Sequence, residues 1–262
     1  MECINSRPRI SIFFIKDIMN LSTTEKEILE NIIYADIFQW PLFKNELRGN
    51  INKLLEKKII GTKNGYYFLS GKEYLVERRL EGEKWAGEKM AIARKAANFL
   101  KIIPTILLVG VSGGLAVGNV SQNDDIDFFI VCQNGSLWTS RFLATVLLDI
   151  FGLRRKPADK FYKDKICLNM FVDEIGMEEL KKQKDLFTKH ELVQLKPMFE
   201  RAISINLSFM ERFFKFIQLK IMAKRRTSEK IEPHRLMFHP QDRRKLVIKK
   251  YEKKLLAIAK AL

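Results

Sequence analysis

The stretch from Leu107 to Cys132, LLVGVSGGLAVGNVSQNDDIDFFIVC, limits what this chain can become more than any other. Leu107, Leu108, Val109 and Val111 form a short apolar run of the kind a buried strand needs. Ser112-Gly113-Gly114 breaks that run, and Asp125-Ile126-Asp127 opens a second one that continues to Val131. Side chains alternate along a strand, so Asp125 and Asp127 share one face while Ile126 and Phe128 share the other. Two neighbouring carboxylates repel and resist burial unless a cation sits between them, and a hard divalent ion with oxygen ligands, Mg²⁺ above all, suits them. The glycine turn lets the backbone bend sharply and lets a ligand approach closely. Its exposed N–H groups attract anions such as phosphate. The same residues also fit a plain turn leading into a strand with both acids in water.

A phosphate cradle followed by a metal-binding Asp-x-Asp is the layout of metal–nucleotide chemistry. The segment resembles the DNA polymerase β-like nucleotidyltransferase superfamily, whose signature is an apolar residue, Gly, then Gly or Ser, a spacer of about ten residues, and Asp-x-Asp. Gly113, Gly114, Asp125 and Asp127 match it one by one. The resemblance covers 105–174. It implies a metal-dependent nucleotidyltransferase that moves a nucleoside monophosphate from a nucleoside triphosphate (NTP) to an acceptor hydroxyl. Asp125 and Asp127 would hold Mg²⁺ or Mn²⁺, and Ser112, Gly113 and Gly114 would hold the phosphates. In that superfamily a third carboxylate sits on the following strand as general base or metal ligand. The matching position here is Asn169, in Lys165–Asp173 (KICLNMFVD). An amide lends an oxygen to a metal but takes no proton at neutral pH. Asp164 and Asp173 are the acids nearby that could compensate. The departure also suits a second reading, a catalytically weak nucleotide- or nucleic-acid-binding regulatory protein.

At 262 residues the chain is long enough for one large domain or two small ones. Its 47% apolar and 30% charged content is that of a folded globular protein, and no apolar run reaches the roughly 20 residues of a membrane span. The net charge of +16 favours polyanionic partners. Cys3, Cys132 and Cys167 are far apart, which suits free thiols in a reducing cytoplasm. His190, His234 and His239 are scattered without metal-ligand spacing.

Residues 1–20 read as an extension whose apolar patch, Ile10 to Ile15, is too short and too interrupted for a signal peptide. From 21 to 71 a cap within Ser22-Thr23-Thr24 with Glu25 and Glu27 in the first turn, a helix with Ile28, Leu29, Ile32 and Ile33 on one face, a short helix from Trp40-Pro41 to Leu47, a third helix carrying Ile51, Leu54 and Leu55, and a hairpin about Asn64-Gly65 follow in order. Three helices closed by a β-hairpin resemble a winged helix-turn-helix domain, and this resemblance, which implies DNA binding, puts Arg48, Asn50, Asn52 and Lys53 near the recognition helix and Lys63 and Asn64 at the wing tip. The same arrangement also serves protein contacts, so fold alone does not assign function. Residues 72–103 read as a charged helical linker, with Gly82 or Gly87 as possible breaks and Pro104 as its end.

Residues 104–176 form the candidate core. Ser136 is the expected cap of an apolar helix over 137–151, and Arg154, Arg155, Lys156 and Lys160 form a basic loop, solvated or facing phosphate. Residues 177–262 read as a basic helical region, with Lys196-Pro197 as a stop and with the aromatics of 205–222 at core spacing. From Glu211 onward there are 16 Lys and Arg against 5 Asp and Glu. Such a face either snorkels its lysines over an apolar floor or tracks RNA or DNA phosphates. The fold class is therefore α/β in the α+β sense: a small mixed sheet flanked by helices, a winged-helix-like domain before it and a basic helical tail after it.

Overall fold

The computed structural model describes residues 21–157, 159–183, 185–202, 207–223, 229–238 and 243–261. The extension over 1–20 with Cys3, the Lys224-Arg225-Arg226 run, and His239-Pro240 lie outside the described residues. The rest is a mixed α and β structure. Contacts divide it into two compact units, one of 21–80 with 245–261 and one of 81–244. Among the described residues no helix is long and apolar enough to cross a membrane.

The first unit begins with helix α1 (Thr23–Ile37), closed by a capping box. Ser22 N–H donates to Glu25 Oε2 at 2.8 Å, and Glu25 N–H donates to Ser22 Oγ at 3.3 Å. These bonds satisfy donors that a helix start leaves orphaned. Strand β1 (Leu42–Phe43), helix α2 (Asn52–Glu56), β2 (Ile60–Lys63) and β3 (Tyr66–Leu69) follow, with the strands ordered β1-β3-β2 and antiparallel. Asn64 and Gly65 turn the β2–β3 hairpin with φ of 53° and 79°, the positive pair that a tight hairpin requires. The helix expected from Pro41 to Leu47 is instead β1 and one 3₁₀ turn, Lys44–Glu46. Leu42 and Phe43 pair with Tyr67 and Tyr66, and Glu46 turns back to accept from Phe43 N–H at 2.6 Å, so strand pairing wins over the proline start signal.

The apolar face of α1, with Leu54, Ile59 and Ile60, builds this unit's core. Tyr251, Leu255 and Ile258 of the last helix, which runs Arg243–Ala261, pack against it. Buried Asp36 accepts from Lys72 at 2.6 Å and from Lys254.

Helix α3 (Leu75–Leu100) is unbroken, glycines included. A Cβ on Gly87 would meet nothing within 4 Å, so that glycine serves neither a kink nor a close approach. Only its residues from Glu81 onward belong to the second unit. There, β4 (Ile106–Val111), a short helix α4 (Gly113–Val117), β5 (Ile126–Cys132), α5 (Leu137–Ile150), β6 (Ile166–Asp173), α6 (Glu174–Lys182), α7 (Leu186–Gln194), β7 (Lys196–Glu200), α8 (Glu211–Ala223), β8 (Lys230–Glu232) and β9 (Arg235–Met237) build a six-stranded sheet ordered β7-β4-β5-β6-β9-β8. Only β5 and β6 run parallel; the other neighbours are antiparallel.

Alternation along β5 separates two cores. Ile126, Phe128, Ile130 and Cys132 join α3, α5 and α8 on one face, whereas Phe129 and Val131 join Leu180 of α6 and Leu192 of α7 on the other. Helix α5 is not capped by the Ser136 side chain. Glu211 places its carboxylate at the helix start, accepting from Trp138 and Thr139 N–H at 2.8 and 2.9 Å, where the helix dipole favours negative charge.

The region beyond 177, read as helical, contributes β7, β8 and β9 to the sheet. These strands are three to five residues long, too short for a period to show. Pro197, expected as a stop, sits in edge strand β7, where a missing N–H is tolerated. The aromatics of 205–222 are not uniformly core: Phe214 is buried, but Phe209, Phe213 and Phe216 are exposed.

Candidate functional site

The sheet brings the two halves of the motif together. Strand β4 ends at Val111, and the next N–H, that of Ser112, donates to the Asp127 carbonyl at 2.9 Å, which keeps the turn in register with β5. Ser112 is buried. Gly113 has φ of 64°, and a Cβ there would lie 3.0 Å from Asp127 Oδ2. The absent side chain therefore makes room for a carboxylate. Gly114 has a different reason: a Cβ would meet the Asn119 carbonyl at 2.4 Å, against the one-turn helix α4.

Asp125 and Asp127 converge with Cys167. One ligand-capable atom from each, a carboxylate oxygen or the sulfur, lies within 4.8 Å of the others. The third member comes from register: β5 and β6 run parallel with Asp127 beside Cys167, and the ladder then shifts by one residue before Phe129 meets Met170. Burial pushes the Cys167 thiol pKa upward, and the charges of Asp127 and Asp125 and a hydrogen bond to Asp127 push it further, so the group is a protonated thiol at neutral pH. Asn169 stands two residues farther along β6, within the shift, with its backbone carbonyl accepting from Phe238 N–H at 2.9 Å.

The shift is a β-bulge in which Leu168 and Asn169 face the single residue Phe128. Ile166, Leu168, Met170 and Val172, which unbroken strand alternation would put on one face, are thereby split. Ile166 and Leu168 pack with Phe171 in one core, while Met170 and Val172 pack in the other.

A guanidinium already sits against one acid. Arg155 Nη1 donates to Asp125 Oδ2 at 2.6 Å, and Arg155 lies over the Tyr162 ring at 4.3 Å. Burial works against its charge, but the hydrogen bond and the charge of Asp125 outweigh that, so its pKa is raised. The other residues of the basic loop do different work: Arg154 forks onto Asp149 at 3.0 and 2.8 Å, and Lys156 N–H donates to Asp159.

The loop entering β5 is anchored from below by Lys89 of α3, whose side chain is almost wholly buried. Its ammonium donates to the carbonyls of Gln122 and Asp124 at 3.0 and 2.7 Å and to Asp164 Oδ1 at 2.6 Å. Three donors meet three acceptors, which offsets the cost of burying the charge. Asp164 N–H also donates to the Asp124 carbonyl, and Ile126 N–H donates to the Lys165 carbonyl, so the backbone on both sides of Asp125 is fixed.

Neither of the other acids takes the place of a third carboxylate. Asp164 is engaged by Lys89. Asp173 lies six residues from Cys167 along β6, about 20 Å at strand rise, and its oxygens accept from Gly176 N–H at 2.8 Å and contact His234 Nδ1 at 2.8 Å. Sequence reasoning named Asp125, Asp127, Ser112, Gly113 and Gly114, which the fold gathers at one corner. It missed Cys167, which only register reveals, and Lys89, which reads as one charge among many on a charged helix. In comparisons with known proteins, no family model, no curated protein and no solved structure matches this chain.

Proposed function

We propose that the protein is a metal-dependent nucleotidyltransferase that moves a nucleoside monophosphate from an NTP to an acceptor hydroxyl. One observation carries the reading: two carboxylates converge beside a turn whose glycine leaves room for one of them. Like charges so close are costly unless a cation is shared. The donor set fits Mg²⁺ or Mn²⁺, with Asp125 and Asp127 supplying hard oxygen and the Cys167 thiol standing by as a proton donor rather than a ligand. When bound, such an ion supplies neutralising charge for the triphosphate and the departing pyrophosphate.

The chain's own residues would do the rest. Ser112, Gly113 and Gly114 border the space for the phosphates. Arg155, beside Asp125, meets the triphosphate's charge with its own. The acceptor oxygen attacks the α-phosphorus as the bond to pyrophosphate breaks. Asn169 would orient a water through its amide, and it takes no proton, so the acceptor proton leaves to solvent or to substrate phosphate. Turnover is then slow for the class, limited to what positioning and charge supply. Free Cys132 and Cys167 suit a reducing cytoplasm.

The second reading, a catalytically weak nucleotide- or nucleic-acid-binding regulator using the winged-helix-like unit and the basic C-terminal region, is favoured by the Arg155–Asp125 pair, which already neutralises one acid. Incubation with Mg²⁺ or Mn²⁺, labelled nucleotides and RNA, DNA, protein or small-molecule acceptors separates the two. Label transfer, lost by about a hundredfold or more in Asp127→Asn, supports the enzyme. Metal-dependent nucleotide binding without transfer supports the regulator, and turnover unchanged in Asp127→Asn refutes the role given to that acid.

A further inference from the structure

A groove of about 360 Å³ opens in the second unit, lined by Lys95 and Phe99 of α3, by Leu153, and by Lys163, Asp164 and Lys165. Phe99 is partly exposed although its ring is stacked on Phe151, with centroids 4.2 Å apart and planes at 11°. A stacked pair keeps one outer face on each ring. Exposed phenyl rings cost free energy in water, and a planar aromatic group that continues the stack recovers it.

The charge around the rings is one-sided. Lys95 and Lys163 are exposed, and Lys165 is anchored by its ammonium on the Gly152 carbonyl. Asp164, the acid in the lining, is engaged by Lys89. The groove therefore pairs an aromatic wall with two exposed lysines, Lys95 and Lys163, among its lining residues. The geometry points to a single-stranded nucleic acid as the occupant, one base continuing the Phe99–Phe151 stack and neighbouring phosphates held by Lys95 and Lys163.

A duplex fits poorly, because its base faces are covered by their own neighbours. An apolar peptide leaves the lysines without purpose. Lys165 also leads into β6, and its carbonyl holds the Ile126 N–H beside Asp125, so a bound strand runs near the acidic corner. Its end would be the acceptor if the transferase reading holds, but the binding itself does not depend on that reading.

The test is fluorescence anisotropy of the full chain with labelled oligo(U) and oligo(dT) of about 12 nucleotides, in EDTA and without NTP, across a salt series. Phe99→Ala is expected to weaken binding about tenfold. Lys95→Glu with Lys163→Glu is expected to weaken it at least as much and to lower the log–log salt slope by about 0.7 for each lysine. Lys84→Glu, an exposed control on α3 about 16 Å from Lys95 along the helix, should leave affinity within about twofold and should not lower that slope, as expected of a lysine that holds no phosphate. Equal affinity in the groove variants and the control overturns the proposal. So does competition by free UMP at the same concentration of nucleotide units, which would mark a mononucleotide site. Because divalent metal and NTP are absent, failure of the transferase reading leaves this result unaffected.

Discussion

At the far end of β6, Asp173 is buried with its oxygens held by Gly176 N–H and His234. At the near end, Cys167 faces Asp127 and Asp125, where two negative charges crowd a thiol and lean on Arg155. Both ends place aspartate at the limit of a strand, yet only the first is arranged for stability. There the carboxylate caps α6 and ties the β8–β9 turn to the sheet. At the second, the fold holds like charges together and spends a buried lysine on fixing the loop that bears one of them. The packing acid is satisfied by backbone N–H and a histidine, whereas the acids of the proposed metal site are gathered against their own repulsion.

The sharpest break of this comparison is a pair of substitutions. Asp173→Ala removes a buried cap and strands Gly176 N–H, and should cost about 2–4 kcal/mol in urea unfolding. Asp127→Asn relieves repulsion and should leave stability unchanged or raised by up to about 1 kcal/mol. Equal losses in the two would erase the distinction.

Next in size is Lys89→Met, which leaves Asp164 and two carbonyls without their ammonium and should cost about 2–3 kcal/mol. Isothermal titration with Mn²⁺ sharpens its meaning: weaker metal binding at temperatures where the variant is fully folded marks Lys89 as a positioning residue for Asp125.

Arg155→Gln should change stability by less than about 1 kcal/mol, since the pair is partly exposed and screened. Mn²⁺ binding without nucleotide should tighten several-fold as the competing cation leaves Asp125, while triphosphate binding weakens. Loss of both would show that the arginine holds the corner together.

The smallest effect concerns His190 of α7, a helix that packs against α4. Burial, aided by Lys189, lowers its pKa to about 4. The unfolded chain therefore takes up this proton first as pH falls. The imidazole's share of stability is complete above its ordinary value of 6.5 and drains away toward pH 4. The corresponding fall in Tm between about pH 7 and about pH 5.5, roughly 2–4 °C, should be absent in His190→Gln.

The strand–turn–strand core was legible because apolar runs, paired glycines and alternating acids are local signals, and a helix cap within Ser22-Thr23-Thr24 was legible for the same reason, though not the reciprocal bond from Ser22 N–H to Glu25. What stayed hidden depends on partners distant in the chain. Glu211 caps a helix that begins 74 positions earlier at Leu137. Strands β8 and β9 exist because β6 offers an edge to pair with. The 41–47 segment took strand pairing over its proline signal because Tyr66 and Tyr67 were there to receive it. Cys167 stands beside Asp127 through a register that no spacing within KICLNMFVD encodes, and Arg155 is distinguished from Arg154 by which acid each one reaches.

The extra residue in β6 has a consequence for how this chain can vary. Without it, a side-chain order that aims Cys167 at the acids would also send Phe171 into the opposite layer from the one it fills. The kink uncouples the two halves: positions 166–168 can be retuned for chemistry while 170–173 keep their places in the interior. Deleting Asn169 would force one half to turn over, so it should damage folding far more than replacing that same amide with any side chain of similar size.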